Sequence, residues 1–132
     1  MRILFTFVGG HGHLEPLVPI ARAAREAGHA VSVACTPAMV AAVQAAGLEA
    51  IVLGVDGRPA TTERLPLRPV DRAREERDLR ERFARRAAGY RAPLVRELCD
   101  RLRPDVLVCD ETDFGAMVAA EARGLPFATV CV

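Results

Sequence analysis

The sequence contains no lysine: its 18 basic residues are all arginine, and 17 acidic residues leave a formal net charge of +1. A balance this close excludes the strongly basic surface of nucleic-acid binding proteins, so no nucleic-acid partner is expected. A P-loop needs a lysine for its phosphate contacts and is excluded as well. The glycine-rich segment that begins at Gly10 has Glu15 where a dinucleotide-binding motif has its third glycine, which argues against a nicotinamide cofactor.

The sequence also lacks closely spaced metal ligands and a long apolar segment. There is no Cys-x-x-Cys pair among the four cysteines, so neither a structural zinc site nor a metal cofactor is expected. Cys35, Cys109 and Cys131 lie in or beside apolar runs, as buried reduced thiols do. The apolar residues 1–8 are too few for a secretion signal or a membrane span. We therefore expect a cytoplasmic protein without a membrane span.

What the sequence does contain is a regular alternation of strand and helix patterns in a chain of one domain's length. Helical spacing predicts helices at residues 14–27, 38–46 and 112–122. Apolar runs predict strands at residues 3–8, 30–35, 48–53, 105–109 and 126–132. Right-handed crossovers between parallel strands then favour a doubly wound, Rossmann-like α/β sheet with strand order 3-2-1-4-5.

Three features depart from this alternation. Residues 54–69 are rich in proline and glycine without periodicity, which predicts a long loop. Residues 70–103 are rich in arginine and glutamate, which is typical of solvated helices, and Gly89 and Pro93 are expected to break them into two. The last predicted strand has no following helix to cover it, so we expect a truncated domain.

Residues able to do chemistry follow the first and fourth predicted strands, which are neighbours in the sheet. His11 and His13 lie in the loop after the first, and Asp110 and Glu111 follow the fourth. Such neighbouring strand ends open a crevice. A histidine is a natural general base near neutral pH, and a carboxylate on its far nitrogen orients it, which His13 and Asp110 fit. No Gly-x-Ser-x-Gly motif supplies a nucleophile, so a substrate hydroxyl is expected to fill that role.

Structural interpretations of the same residues remain open. His13 is also explained as a satisfied polar residue at the end of a strand. Asp110 is also explained as a cap of the helix that begins near Thr112. Asp113 fits a charge at the helix entry better than a catalyst.

Two long stretches carry a resemblance to a known family. The first reads F-x-G-G-H-G-H-L-E-P-L-V-P-I-A-R-A over residues 7–23 and continues as E-A-G-H-A-V-S-V-A from residue 26. The second reads P-D-V-L-V-C-D-E-T-D-F-G-A over residues 104–116 and continues as A-A-E-A-R-G-L-P from residue 119. Together they resemble the N-terminal half of nucleotide-sugar glycosyltransferases built from two Rossmann-like domains, the GT-B fold. The resemblance is closest to the bacterial enzymes that glycosylate macrolides and other natural products.

This resemblance implies that residues 1–132 form the acceptor-binding domain of an inverting glycosyltransferase. The C-terminal nucleotide-sugar domain is missing from the chain and would be supplied in cis or in trans. His13 would be the base that deprotonates the acceptor hydroxyl, and Asp110 its carboxylate partner. No cofactor is implied: the donor, a UDP- or dTDP-sugar, is a co-substrate held mainly by the missing domain. The other partner is a small, largely apolar acceptor alcohol.

The resemblance also places acceptor-contacting segments on residues 54–69, the helical region through Tyr90 and the turn at Thr112. For Tyr90 and Phe114, packing in the core or the groove is favoured over contact with an apolar ligand. By itself the chain is expected to be nearly inactive. Two alternatives to catalysis stay open: a free-standing Rossmann-like binding module, and a non-catalytic subunit that activates a partner glycosyltransferase. The expected acceptor contacts are Gly10, Gly12, Tyr90, Thr112 and Phe114.

Overall fold

The computed structural model describes residues 1–56, 66–67 and 69–131 and shows one parallel five-stranded sheet. The sheet has the order β3-β2-β1-β4-β5, so the predicted strand order is confirmed. β1 lies in the middle, with Ile3 opposite Val31 of β2 and Val106 of β4. The strands are β1 (Arg2–Thr6), β2 (Ala30–Cys35), β3 (Glu49–Val52), β4 (Val106–Asp110) and β5 (Phe127–Val130).

Helices cover both faces of the sheet. A 3₁₀ turn at Pro37–Met39 precedes α3, and a π-helical segment at Leu79–Ala87 joins α4 to α5. Most of the predicted loop at 54–69 lies outside the described residues. The α-helices are α1 (His11–Leu14), α2 (Leu17–Glu26), α3 (Val40–Ala45), α4 (Arg72–Asp78), α5 (Ala88–Leu102) and α6 (Phe114–Glu121).

The buried core has two layers because side chains alternate along each strand. Ile3 and Phe5 of β1 point to one face, where α2 and α3 pack on them. Leu4 points to the other face and packs with residues of α5 and α6. The edge strand β5 is the most open: Phe127 is 42% exposed. The two covered faces hold the ends of β1 and β4 rigidly side by side.

Two helix predictions were wrong. The first helix begins at His11 rather than Leu14, and a turn at Glu15 and Pro16 divides it into α1 and α2. Pro16 has no backbone N–H to donate to the carbonyl four residues earlier, so the first turn cannot continue. Conversely, Gly89 and Pro93 do not break the long helical segment, since both lie inside α5.

The exposed helix faces behave as predicted. Within α4 and the π-helical segment, arginines pair with carboxylates one turn away, as in Arg80 with Glu76 and Arg85 with Glu81. In the described parts of the chain, no helix is long and apolar enough to cross a membrane. Within the same parts, no group of three or more potential ligands is arranged to hold a metal ion.

Candidate active site

The loop after β1 places His13 at the carboxyl end of the sheet. Gly9 has a φ of +113°, a backbone conformation that side chains rarely permit, and it turns the chain into α1. The carbonyl of Gly10 accepts hydrogen bonds from the N–H groups of His13 and Leu14. Leu14 is buried in the core and therefore anchors this turn, which leaves His13 beside it at the surface of the crevice.

The end of β4 places Asp110 opposite this histidine. Nδ1 of His13 lies 3.6 Å from Oδ1 of Asp110, and the two side chains are 35% and 1% exposed. Nδ1 is itself buried and has no hydrogen-bond partner among the described residues. A lone pair at Nδ1 would repel the carboxylate, so we assign the ring proton to Nδ1. Nε2 is then free to accept a proton.

Three hydrogen bonds hold the Asp110 carboxylate. The N–H of Val8 donates to Oδ2 at 2.6 Å. The N–H and the hydroxyl of Thr112 both donate to Oδ1, at 2.7 Å and 2.5 Å. Asp110 thus ties the loop after β1 to the turn after β4, and it presents a negative charge to His13.

Gly9 also leaves room for the His13 ring. A Cβ added at Gly9 would lie 2.6 Å from Cδ2 and 3.1 Å from Nε2 of the His13 ring, closer than real Cβ atoms come to ring atoms. The imidazole therefore lies directly against the glycine backbone. Gly9 also lines the neighbouring cleft, so it lies between that cleft and the His13 ring, which is not itself among the described lining residues.

The cleft has a volume of about 740 Å³, which suits a small organic molecule. It runs along the carboxyl ends of β1, β2 and β3 to the start of α5, and most of its wall is apolar. Its charged lining groups are already engaged: Asp56 accepts the N–H of Ala38, and Arg91 pairs with Asp113. Among the described residues its lining includes Val8, Gly9, Gly10, Met39, Leu53, Val55 and Tyr90.

The predicted acceptor contacts fall into two groups. Gly10 and Tyr90 line the cleft. Gly12, Thr112 and Phe114 are not among the described residues that line it: Gly12 lies in α1 and Phe114 begins α6, while the Thr112 hydroxyl is bound to Asp110. As a set of acceptor contacts, these five residues stay a prediction.

The sequence analysis missed a buried ion pair behind the site. Arg91 of α5 donates two hydrogen bonds to Asp113, at 2.9 Å and 2.6 Å, and both side chains are buried. Asp113 also accepts the N–H of Ala116 and so caps α6, as predicted for a helix-entry charge. Arg91 lies in an arginine-rich segment whose other arginines are exposed. The one sequence feature that could have indicated its burial is the helical spacing of the apolar residues beside it in α5.

The thiol of Cys109, next to the pair of Arg91 and Asp113, is unsuited to nucleophilic attack. Burial raises the pKa of Cys109 to about 12, and the carboxylates of Asp113 and Asp110 add to the effect. Near neutral pH this thiol stays protonated, and the thiolate is the reactive form. Cys109 is therefore not expected to act as a nucleophile near neutral pH.

Two curated relatives align along nearly the whole chain. L-demethylnoviosyl transferase of Streptomyces niveus is 35% identical over 130 residues, which make up 96% of this chain and 33% of that protein. 10-deoxymethynolide desosaminyltransferase of Streptomyces venezuelae is 31% identical over 154 aligned residues, covering 98% of this chain and 35% of that protein. The chain thus spans about one third of the length of these sugar transferases.

Solved structures of glycosyltransferases share the fold. SsfS6 of Streptomyces sp. SF2575 has a TM-score of 0.82 at 23% identity, covering 99% of this chain and 39% of that one; this likeness concerns the fold alone. The spinosyn rhamnosyltransferase SpnG, complexed with thymidine diphosphate, has a TM-score of 0.76 at 26% identity, covering 99% of this chain and 34% of that one. No protein-family model matches the chain.

Proposed function

We propose that the chain is the acceptor-binding part of an antibiotic-type glycosyltransferase. Nearly its whole length aligns with such enzymes, and it spans about one third of their length. The transfer would use a nucleotide-sugar donor, a UDP- or dTDP-sugar, and a small, largely apolar alcohol as acceptor. The donor would be bound mainly by a second Rossmann-like domain outside these residues. The observation that carries the proposal is the position of the His13 ring beside the buried Asp110 carboxylate and against Gly9, a residue that lines an apolar cleft.

In the proposed reaction, His13 is the general base. The acceptor lies in the cleft with its hydroxyl at Nε2, which takes the proton as the oxygen attacks the anomeric carbon. The new carbon–oxygen bond forms on the face opposite the leaving group, so the configuration inverts. The bond to the nucleoside diphosphate breaks, and that group departs with the electron pair. Asp110 stabilises the imidazolium that forms, and His13 later returns its proton to solvent.

The apolar cleft wall supports the choice of acceptor. Met39, Leu53 and Val55 offer apolar surface, and the charged groups beside them are engaged within the protein. A neutral, largely apolar molecule would bury surface there without leaving a charge unpaired, whereas an ionised acceptor would find no free counter-charge among the described lining residues.

Replacing the base tests this function. In the natural gene product, supplied with dTDP-glucose or UDP-glucose and a panel of apolar polycyclic and macrocyclic alcohols, His13→Ala should lower the transfer rate by roughly 10² to 10⁴-fold, the usual contribution of general-base catalysis. Donor binding, measured by calorimetry with the nucleoside diphosphate, should stay unchanged. Glycoside formation is followed by mass spectrometry.

The matched control is His29→Ala. His29 lies at the opposite end of the sheet, beside the N-terminal amine, so this variant should turn over normally. Equal turnover in both variants would refute the assignment of His13 as the base. A gene product that promotes transfer only by a partner glycosyltransferase, with His13 dispensable, would favour the activator alternative.

A further inference from the structure

The turn after β4 holds the Asp110 carboxylate more firmly than helix capping requires. α6 already has its cap, because the side chain of Asp113 accepts the N–H of Ala116. The backbone N–H of Thr112 alone would close the local turn at Asp110. The Thr112 hydroxyl nevertheless donates a second, shorter hydrogen bond of 2.5 Å to the same oxygen, the oxygen that faces His13.

We propose that Thr112 is a positioning residue for the His13–Asp110 pair rather than an acceptor contact. The terminal torsion of an aspartate is broad, and two backbone N–H groups restrain it, that of Val8 on Oδ2 and that of Thr112 on Oδ1. The Thr112 hydroxyl adds a third restraint on the oxygen opposite Nδ1. Hydrogen bonds from a hydroxyl to a carboxylate are short and strong, which suits the task. The inference rests on the proposed catalytic role of the pair.

The location of Thr112 supports this role. Its hydroxyl proton is donated to Asp110, so Thr112 could donate a hydrogen bond to an acceptor only by breaking that bond, and it could otherwise only accept one. Thr112 is also two residues from the end of β4, where the paired strands hold the backbone in place.

Nuclear magnetic resonance of the histidine ring nitrogens tests the inference without any transfer reaction. Thr112→Val keeps the shape and the backbone N–H but removes the hydroxyl. In this variant Oδ1 is held less firmly opposite Nδ1, so the ratio of the Nδ1–H to the Nε2–H form of His13 should fall, with a matching shift of the ring-nitrogen signals. Thr112→Ser keeps a hydroxyl and should restore the ratio.

Thr6→Val is the matched control. Thr6 lies in β1 opposite Cys109, and its buried hydroxyl has no partner, so this variant removes a buried hydroxyl without touching the carboxylate. It should leave the His13 ring unchanged. A ring signature in Thr112→Val identical to that of the unmodified protein, or altered equally in Thr6→Val, would overturn the inference.

Kinetics separate the inference from the proposed function. With the alcohol that turns over fastest with dTDP-glucose, Thr112→Val should lower kcat about tenfold with little change in acceptor KM, and it should have no further effect in an Asp110→Asn background. A raised KM with unchanged kcat would make Thr112 an acceptor contact instead. If His13→Ala does not impair transfer, the proposed function itself fails, whatever Thr112→Val does.

Discussion

At the scale of single residues, the absence of a side chain at Gly9 is as important as the presence of one at His13. The ring of His13 occupies the space that a Cβ at Gly9 would need. The same residue has a φ of +113°, so two independent constraints select glycine. Gly10 and Gly12 differ from it, since a Cβ added at either would meet nothing within 4 Å.

Replacing Gly9 should therefore displace the histidine. In Gly9→Ala the methyl group displaces the ring from its position beside Asp110, so the transfer rate should fall about 10²-fold, toward the loss of the base itself. The ring signals of His13 should shift in the same variant. Both effects are measured by initial rates and by nuclear magnetic resonance.

Gly28→Ala controls for the cost of backbone strain. Gly28 also has a positive φ, of +83°, but a Cβ there would be in open space. Its replacement should lower stability by about 1 kcal/mol and leave the rate unchanged. Similar rate losses in both variants would mean that Gly9 contributes only backbone conformation.

The sequence predicted the pairing of His13 with Asp110 but not the groups that hold them. Strand order brings the ends of β1 and β4 together, and that order follows from general rules of chain connection. The roles proposed for Gly9 and Thr112 depend on interatomic distances that must be right to a few tenths of an ångström. A pattern of residue types does not encode distances of this precision. The acceptor contact that the resemblance implies at Thr112 stays a prediction.

At the scale of elements, the contact between α5 and α6 is unusually close. A Cβ at Gly115 would lie 2.6 Å from Cβ of Arg91 and 3.0 Å from the backbone nitrogen of Ala92. This closeness lets Arg91 reach Asp113 with two hydrogen bonds. The pair fastens the wall of the cleft to the start of α6, just beyond the turn that carries Asp110.

Breaking this pair should be costly. Asparagine caps helices as well as aspartate does, so Asp113→Asn isolates the loss of charge opposite a buried guanidinium. We expect the free energy of unfolding to fall by about 3 kcal/mol, measured by urea denaturation. Adding Arg91→Met should recover much of that loss, because no charge then remains buried.

Asp71→Asn is the matched control for this substitution. Asp71 caps α4 by accepting the N–H of Arg74, and it is exposed. Its replacement should change the free energy of unfolding by less than about 0.5 kcal/mol. Comparable losses at both positions would show that Asp113 acts as a helix cap and gains little from Arg91.

The continuity of α5 could not be predicted from its sequence. Proline inside a helix costs about 3 kcal/mol, and on local grounds Pro93 and Gly89 favour a break. The helix continues because Arg91, Val95 and Leu98 are buried along one side of it. Their packing on the sheet and α6 outweighs the local cost, and tertiary packing of this kind leaves only a weak trace in periodicity.

At the scale of the whole molecule, the thiols set the response to alkaline pH. Cys35, Cys99 and Cys109 are buried, whereas Cys131 is exposed, which corrects the expectation that Cys131 would be buried. Burial raises the pKa of each of the three buried thiols, for Cys109 to about 12. Because the chain has no lysine, the thiols dominate its titration in this range.

Stability should therefore decline above about pH 9, the ordinary pKa of a thiol. There the unfolded chain releases protons that the folded chain retains, so the free energy of unfolding falls as pH rises. The slope approaches about 1.4 kcal/mol per pH unit for each buried thiol, until the thiol ionises in the folded state as well. Urea denaturation between about pH 8 and pH 11 measures it.

Two cysteine variants check the source of this slope. Cys109→Ala removes one buried thiol, so the free energy of unfolding should fall less steeply with pH by the contribution of that thiol. Cys131→Ala removes the exposed thiol and should change the slope little. A decline that is the same in all three proteins would assign the alkaline loss of stability to groups other than Cys109.

Because β1 pairs with β4, the two halves of the site come from segments that are synthesised at different times. Val8 and Asp110 are joined across 102 positions of the chain, so the segment with His13 is synthesised long before its carboxylate partner. At about 5 to 20 residues per second, this interval lasts roughly 5 to 20 seconds. During that time β1 can pair only with β2, and the central strand keeps one open edge. The crevice is thus completed late in folding, when β4 closes that edge.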